Sequence, residues 1–259
     1  MGMKYIDNHC HLNLPEFDQD YREVYRRASE GGVQVINVGT DRTTSRKALE
    51  IAEELGCYAI VGHHPNEFDE EFDYEYYKTL ALDPKVLGIG ECGLDYFRSG
   101  EDTKEKQREV FKRQIELALE LNKPLMLHIR DNGKVDAYQD AINIIRQYKV
   151  AHQSLRGNVH FFAGTLEIAR QFVEMGFTIS FTGAITYGDN YTEVVRNIPL
   201  ESILSETDCP FVAPVPYRGK RNEPVYVIEV VKKIAEIKEL SLDEVAEQLV
   251  ENSKKLFGI

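Results

Sequence analysis

The chain has 259 residues, enough for a large core, and neither a Pro/Gly/Ser-rich linker nor an internal repeat divides it. Its 31 lysines and arginines face 43 aspartates and glutamates, and the net charge of −12 weighs against broad, charge-driven wrapping of duplex nucleic acid. Cys10, Cys57, Cys92 and Cys209 form no CxxC pair and no signal-peptide or membrane-length apolar run is present, so a reduced cytoplasmic chain with no membrane or obligatory protein partner is expected.

Eight short apolar runs follow one another: "KYIDNH", "VQVINVG", "CYAIVG", "VLGIGECG", "PLMLHI", "NVHFF", "TISFTG" and "ILSETD". Amphipathic stretches separate them. In 103–121, Phe111, Ile115 and Ala118 step by four and three, and in 165–176 Ile168, Phe172 and Met175 do the same, as a helix requires. A further helix reads over 222–239. Ser241, with Glu244 three residues on, marks the start of one or two terminal helices. Near-continuous apolar strands spaced by helices predict a parallel sheet covered on both faces. Eight such units favour a single-domain (β/α)8 barrel over 1–259, with an open doubly wound sheet as the alternative.

The reactive residue types recur at one place in these units. His9 and His11 close the first run, His63 and His64 the third, Glu91 the fourth and His128 the fifth. His160 lies in the sixth and Asp208 ends the eighth. In a barrel those ends meet on one face, where the active sites of this fold lie. Strand alternation places Asp7, His9 and His11 on one side and Ile6, Asn8 and Cys10 on the other. Glu91, among Gly88, Gly90 and Gly93 in a buried run, needs a partner for its charge. Glu206 and Asp208 straddle Thr207 and share a face by the same alternation. Taken singly, each has a plainer reading: a core histidine, a buried ion pair, a turn aspartate. His152, in polar surroundings, is expected at the surface. Cys10, Cys92 and Cys209 sit next to candidate ligands but turn away from them as small buried apolar groups.

The segments "DNHCHL", "GHHP", "GECGLDYF", "LHIRD", "VHFFAG" and "ETDCPFVAP…RGKRNEP" resemble, in that order, the motifs of the TatD family of metal-dependent deoxyribonucleases, barrels of the amidohydrolase superfamily. The likeness runs from Asp7 to Pro224. It implies one metal held by His9, His11, Glu91 and Asp208, and a second held by a bridging Glu91 with His128 and His160. His64, just before Pro65, resembles the family's active-site histidine, which touches a substrate phosphate or the attacking water. The chain departs from the pattern at Asn8, Asn66 and Phe161, where the family commonly carries Thr or Ser, His and Cys.

Four imidazoles and two carboxylates suit zinc, manganese, iron or nickel on donor softness, whereas the family is known for magnesium-dependent activity. Two divalent ions (Zn, Mn or Mg) are therefore the expected cofactor. Ions ~3.5–4 Å apart would activate a shared water and clamp a phosphodiester, with Asp208 orienting the nucleophile or taking its proton. "YRGKRNEP" (217–224) supplies Arg218, Lys220 and Arg221 beside the start of the helix over 222–239, a favourable place for an anion. Arg130 is a further phosphate contact. Tyr96 is a candidate to stack on a base, while Phe97 is expected in packing. The resemblance implies a nuclease trimming single-stranded DNA or RNA from the 3′ end, and such an end enters a cationic pocket without needing a basic track. The alternative is an ester or amide hydrolase, such as an aminoacyl-ester deacylase, on the same site.

Overall fold

Runs such as Val33–Val38 and Tyr58–Val61 are rich in β-branched residues and almost wholly buried, the pattern of strands covered on both faces. The computed structural model describes residues 3–67, 70–98, 100–133 and 136–259. Its strands are β1 (Tyr5–Cys10), β2 (Val33–Val38), β3 (Tyr58–Val61), β4 (Val86–Asp95), β5 (Leu125–Arg130), β6 (Gly157–Val159), β7 (Thr178–Phe181) and β8 (Ile203–Ser205). They lie parallel in sequence order, each paired with the next. The helices between and after them are α1 (Tyr21–Glu30), α2 (Arg42–Leu55), α3 (Tyr74–Ala81), α4 (Lys104–Glu120), α5 (Ala137–Lys149), α6 (Leu166–Glu174), α7 (Thr192–Asn197), α8 (Val227–Lys238) and α9 (Leu242–Phe257). This is the expected (β/α)8 barrel. Ser241 Oγ accepts the Glu244 N–H at 3.2 Å, and a single helix, α9, follows it. None of the described helices is long and apolar enough to cross a membrane.

Two apolar layers result. Ile6, Ile36, Val38, Ile60, Met126 and Leu204 form an inner cluster, and Val250, Leu256 and Phe257 of α9 join it. Val35, Val61, Ile89, Leu127 and Ile179 belong to the outer layer that receives the other helices. Further along the strands the interior turns polar, and several of the buried groups there bond to one another, while Asn8 Oδ1 and His9 Nδ1 have no hydrogen-bond partner. Asn158 Nδ2 donates to Ser180 Oγ at 2.7 Å, and Ser180 Oγ donates to Glu206 Oε2 at 2.6 Å. Asn8 Nδ2 donates to the Ser205 carbonyl at 2.9 Å.

The seam between the first and last strands is closed by bonds of a different kind. The Thr207 N–H and hydroxyl both donate to the Asp7 carboxylate, at 2.8 and 2.5 Å. Beyond them the Asp208 N–H donates to the His9 carbonyl and the His11 N–H to the Cys209 carbonyl, each at 2.9 Å.

Strict alternation fails at two places, and both shape the site. In β1 the register slips between Asp7, opposite Val35, and Cys10, opposite Asn37. Asp7 therefore does not share a face with His9 and His11. It stands within 4.8 Å of Cys10 and Cys209, and both cysteines belong to the outer layer. Burial pushes the Asp7 carboxyl well above the usual range. In β4 the register slips again, between Ile89 and Cys92. There Gly90 has φ +156°, and a Cβ on it would stand 2.5 Å from the Met126 carbonyl oxygen, so only glycine fits. Glu91 is thereby turned inward. It does not end the strand, because β4 continues to Asp95.

Candidate metal centre

Five of the seven histidines and two carboxylates converge where the strands end. His9 and His11 come from β1, Glu91 from β4 and His128 from β5, while His160 follows β6 directly. Asp208 lies three residues past β8 with φ +56°, held there by its own N–H bond to His9. His64 lies three residues past β3.

Glu91 is the centre of the arrangement. Its Oε2 faces His9 Nε2 at 3.4 Å and His11 Nε2 at 3.8 Å. Its Oε1 faces His128 Nδ1 at 2.7 Å, His160 Nε2 at 3.1 Å and His64 Nε2 at 3.6 Å. Asp208 Oδ1 completes the first group at 3.3 Å from His11 Nε2 and 3.8 Å from His9 Nε2. One carboxylate thus offers one oxygen to each of two clusters.

The environment sets the charges. Burial alone would raise the Glu91 carboxyl, but the His160, His128 and His64 imidazoles outweigh it and hold the group well below the usual carboxylate range. Asp208 follows the same logic, with burial overcome by His11, His160 and His9. Burial and the neighbouring His128 bring His64 down to about 3, so it is neutral at physiological pH. His160 moves the other way: burial lowers it, yet Glu91 and Glu206 together raise it well above its ordinary value.

Hydrogen bonds also fix which ring nitrogen is available. His11 Nδ1 bonds the Val38 carbonyl at 2.8 Å, which leaves Nε2 free to face the carboxylates. His160 Nδ1 bonds Glu206 Oε1 at 3.1 Å, with the same effect on its Nε2. His128 Nε2 bonds Asp95 Oδ2 at 3.0 Å and so directs Nδ1 toward Glu91. Asp95 also accepts the backbone N–H groups of Phe97 and Arg98 at 2.9 Å and the Asn66 amide at 2.8 Å. His64 Nδ1 accepts the Asn66 N–H at 3.1 Å, so its proton resides on Nε2. His9 and His11 bring their Nε2 atoms within 3.0 Å of each other. Two ring nitrogens at that distance, backed by two ionised carboxylates and shut off from solvent, form a donor set suited to a cation.

Every residue expected to bind metal lies in this cluster, and His64 joins it at the edge. The expected substrate contacts fare differently. Arg130 lies at the end of β5 with its guanidinium 4.2 Å over the Phe97 ring, and Phe97 is 58% exposed. Tyr96 is 1% exposed and its hydroxyl donates to Asp140, so the stacking candidate of the pair is Phe97 and not Tyr96. Arg218 lies over the Tyr187 ring at 4.2 Å, and Lys220 is exposed. Arg221 is engaged elsewhere, with two bonds to Asp20 and one to the Glu16 carbonyl. Helix α8 does not offer the expected anion seat. It begins only at Val227, after a 3-10 turn at Pro224–Tyr226 that is preceded by Glu223, whose carboxylate pairs with Arg27 at 2.8 Å.

His63 faces the helices, bonded to the Glu67 carbonyl at 2.9 Å, and His152 is exposed. Cys10, Cys92 and Cys209 are fully buried and belong to the outer layer. Two positioning groups escaped the sequence reading. Alternation puts Glu206 on the site's face without marking a task for it. The one local signal for Asp95 is its spacing of four from Glu91 on β4, which runs on to Asp95.

A family model described as TatD related DNase matches residues 6–258. The chain is 41% identical to the uncharacterized metal-dependent hydrolase YabD of Bacillus subtilis, over 98% of this chain and 99% of that protein. It is 34% identical to the uncharacterized metal-dependent hydrolase YcfH of Escherichia coli K12, over 98% of this chain and 96% of that protein. Its fold matches the crystal structure of the TatD homologue YjjV of Escherichia coli K12 with a TM-score of 0.90 at 29% identity, each chain covered in full. With such relatives and a buried cation-binding cluster at its strand ends, the chain belongs to the TatD family of metal-dependent hydrolases.

Proposed function

We propose that the chain is a nuclease that hydrolyses phosphodiester bonds at single-stranded ends, using two divalent ions held across Glu91. The observation that carries this reading is the division of labour at Glu91, with Oε2 toward His9 and His11 and Oε1 toward His128 and His160. In this reading His9, His11, Asp208 and Glu91 hold one ion, and His128, His160 and Glu91 the other. When bound, such ions supply positive charge that polarises a phosphoryl group and acidifies water.

The chain's own residues do the rest. Asp208, ionised and more exposed than His9, His11 or Glu91, takes the proton of the attacking water. His64, neutral and protonated on Nε2, donates a hydrogen bond to a phosphoryl oxygen. Arg130, Arg218 and Lys220 meet the flanking phosphates. The acidic balance of the chain, −12, fits an entering strand end better than a duplex track.

The test is to load the protein separately with Zn, Mn and Mg and offer it a labelled single strand, the matching duplex and an aminoacyl ester. Stepwise 3′ shortening of the single strand, abolished by chelator, is expected. Ester cleavage with every strand left intact would overturn the reading. Because Asp95 directs His128, Asp95→Ala is expected to lower metal affinity or turnover by roughly 10–100-fold. Titration of the metal-free protein with Zn measures it, and wild-type affinity together with wild-type turnover would deny Asp95 that role.

A further inference from the structure

A cavity of about 250 Å³ opens beside His128 and His160. That is smaller than a pocket for a whole drug-sized ligand, which takes roughly 300–1,000 Å³, and suits one compact part of a larger molecule. Phe161 and Tyr191 line it with aromatic rings, Ile129 and Ala163 add apolar surface, and Arg130 brings a cation. Among the described residues, no carboxylate or amide side chain lines it. Such walls hold a flat ring by its faces.

Phe161 is placed with unusual firmness. Its φ is +44°, a conformation that bulky side chains rarely adopt. Its N–H donates to Glu206 Oε1 at 2.6 Å, and the same oxygen holds His160 Nδ1 at 3.1 Å. One carboxylate therefore indexes both the ring that walls the cavity and the imidazole that faces Glu91. A residue kept in a rare backbone conformation next to reactive groups points to a task at that position.

We propose that this cavity seats the base of the nucleotide whose phosphodiester is cut, and that Phe161 is the residue that selects for a base there. The inference rests on the nuclease reading and refines it. The base lies against Phe161 and Tyr191, its phosphate reaches the groups around Glu91, and Arg130 meets the backbone at the mouth. With no carboxylate or amide among the described lining residues to single out one base, the presence of a base matters more than its identity.

The experiment uses the metal-loaded protein and two single strands that differ only at the 3′-terminal residue, one natural and one a stable abasic analogue. Wild-type protein is expected to cut the natural strand 10- to 100-fold better in kcat/KM, the range that stacking on an aromatic ring supplies. Phe161→Ala is expected to shrink that ratio to within about threefold of unity, because it loses on the natural strand what it never had on the abasic one. Should Phe161→Ala fold poorly by circular dichroism, Ala163→Phe serves in its place. Its side chain fills the cavity, while the backbone bond from Ala163 N–H to the Tyr138 hydroxyl is untouched. Equal cleavage of both strands by wild-type protein overturns the inference and leaves the nuclease reading standing. So does a loss in Phe161→Ala that is the same on both strands. Silence on every strand overturns the nuclease reading and this inference with it.

Discussion

Replacing Glu91 with glutamine is expected to remove metal binding and turnover together while the barrel still folds. The amide keeps the shape of the side chain but loses the charge that both imidazole groups face. It also puts an NH2 donor in place of one of the two acceptor oxygens, opposite ring nitrogens directed there by bonds to Glu206 and Asp95. The transition-state charge stabilisation that a bound ion supplies is several kcal/mol, so a loss of roughly 10³-fold or more in kcat/KM is expected. Metal content of the purified variant, its rate and its far-ultraviolet circular dichroism read the three consequences separately. A variant with wild-type metal content and rate would remove Glu91 from the centre of the scheme.

Asp208→Asn separates binding from chemistry. His9, His11 and Glu91 remain in place, and asparagine still offers a neutral oxygen, so metal content is expected to fall far less than in Glu91→Gln. Asparagine cannot take up a proton. If Asp208 is the base, kcat falls by roughly 10²–10⁴-fold with KM little changed. Its geometry supports this, since its side chain is 12% exposed against 0–5% for His9, His11 and Glu91 and is the most open of that group to water. Near-normal turnover would assign the proton transfer elsewhere.

The barrel, and the convergence of reactive residues at its strand ends, are legible because they depend on period and order. Alternating runs and helical spacing are local signals, and a reactive residue at each strand end is a pattern that survives errors of a few positions. What was not legible depends on register. A bulge adds one residue to one strand without a mark in composition, so Asp7 was given to the wrong side. Gly90 hinted at the second slip but could not show that β4 runs on to Asp95. The exchange of Tyr96 for Phe97 as the exposed ring has the same origin, since both lie just past a strand whose end had been placed too early. Arg221 and the start of α8 were misjudged for another reason. Their partners Asp20 and Arg27 lie some two hundred positions away, and a charge run cannot show what is folded against it.

The stitch between Asp7 and Thr207 joins the first and last strands of the barrel, and it sits directly beside His9, His11 and Asp208. The cation cage therefore draws on both sides of this seam, with His9 and His11 on β1 and Asp208 just past β8. Any loosening that parts those two strands dismantles the cage in the same movement, so occupancy of the cage and closure of the cylinder stand or fall as one event.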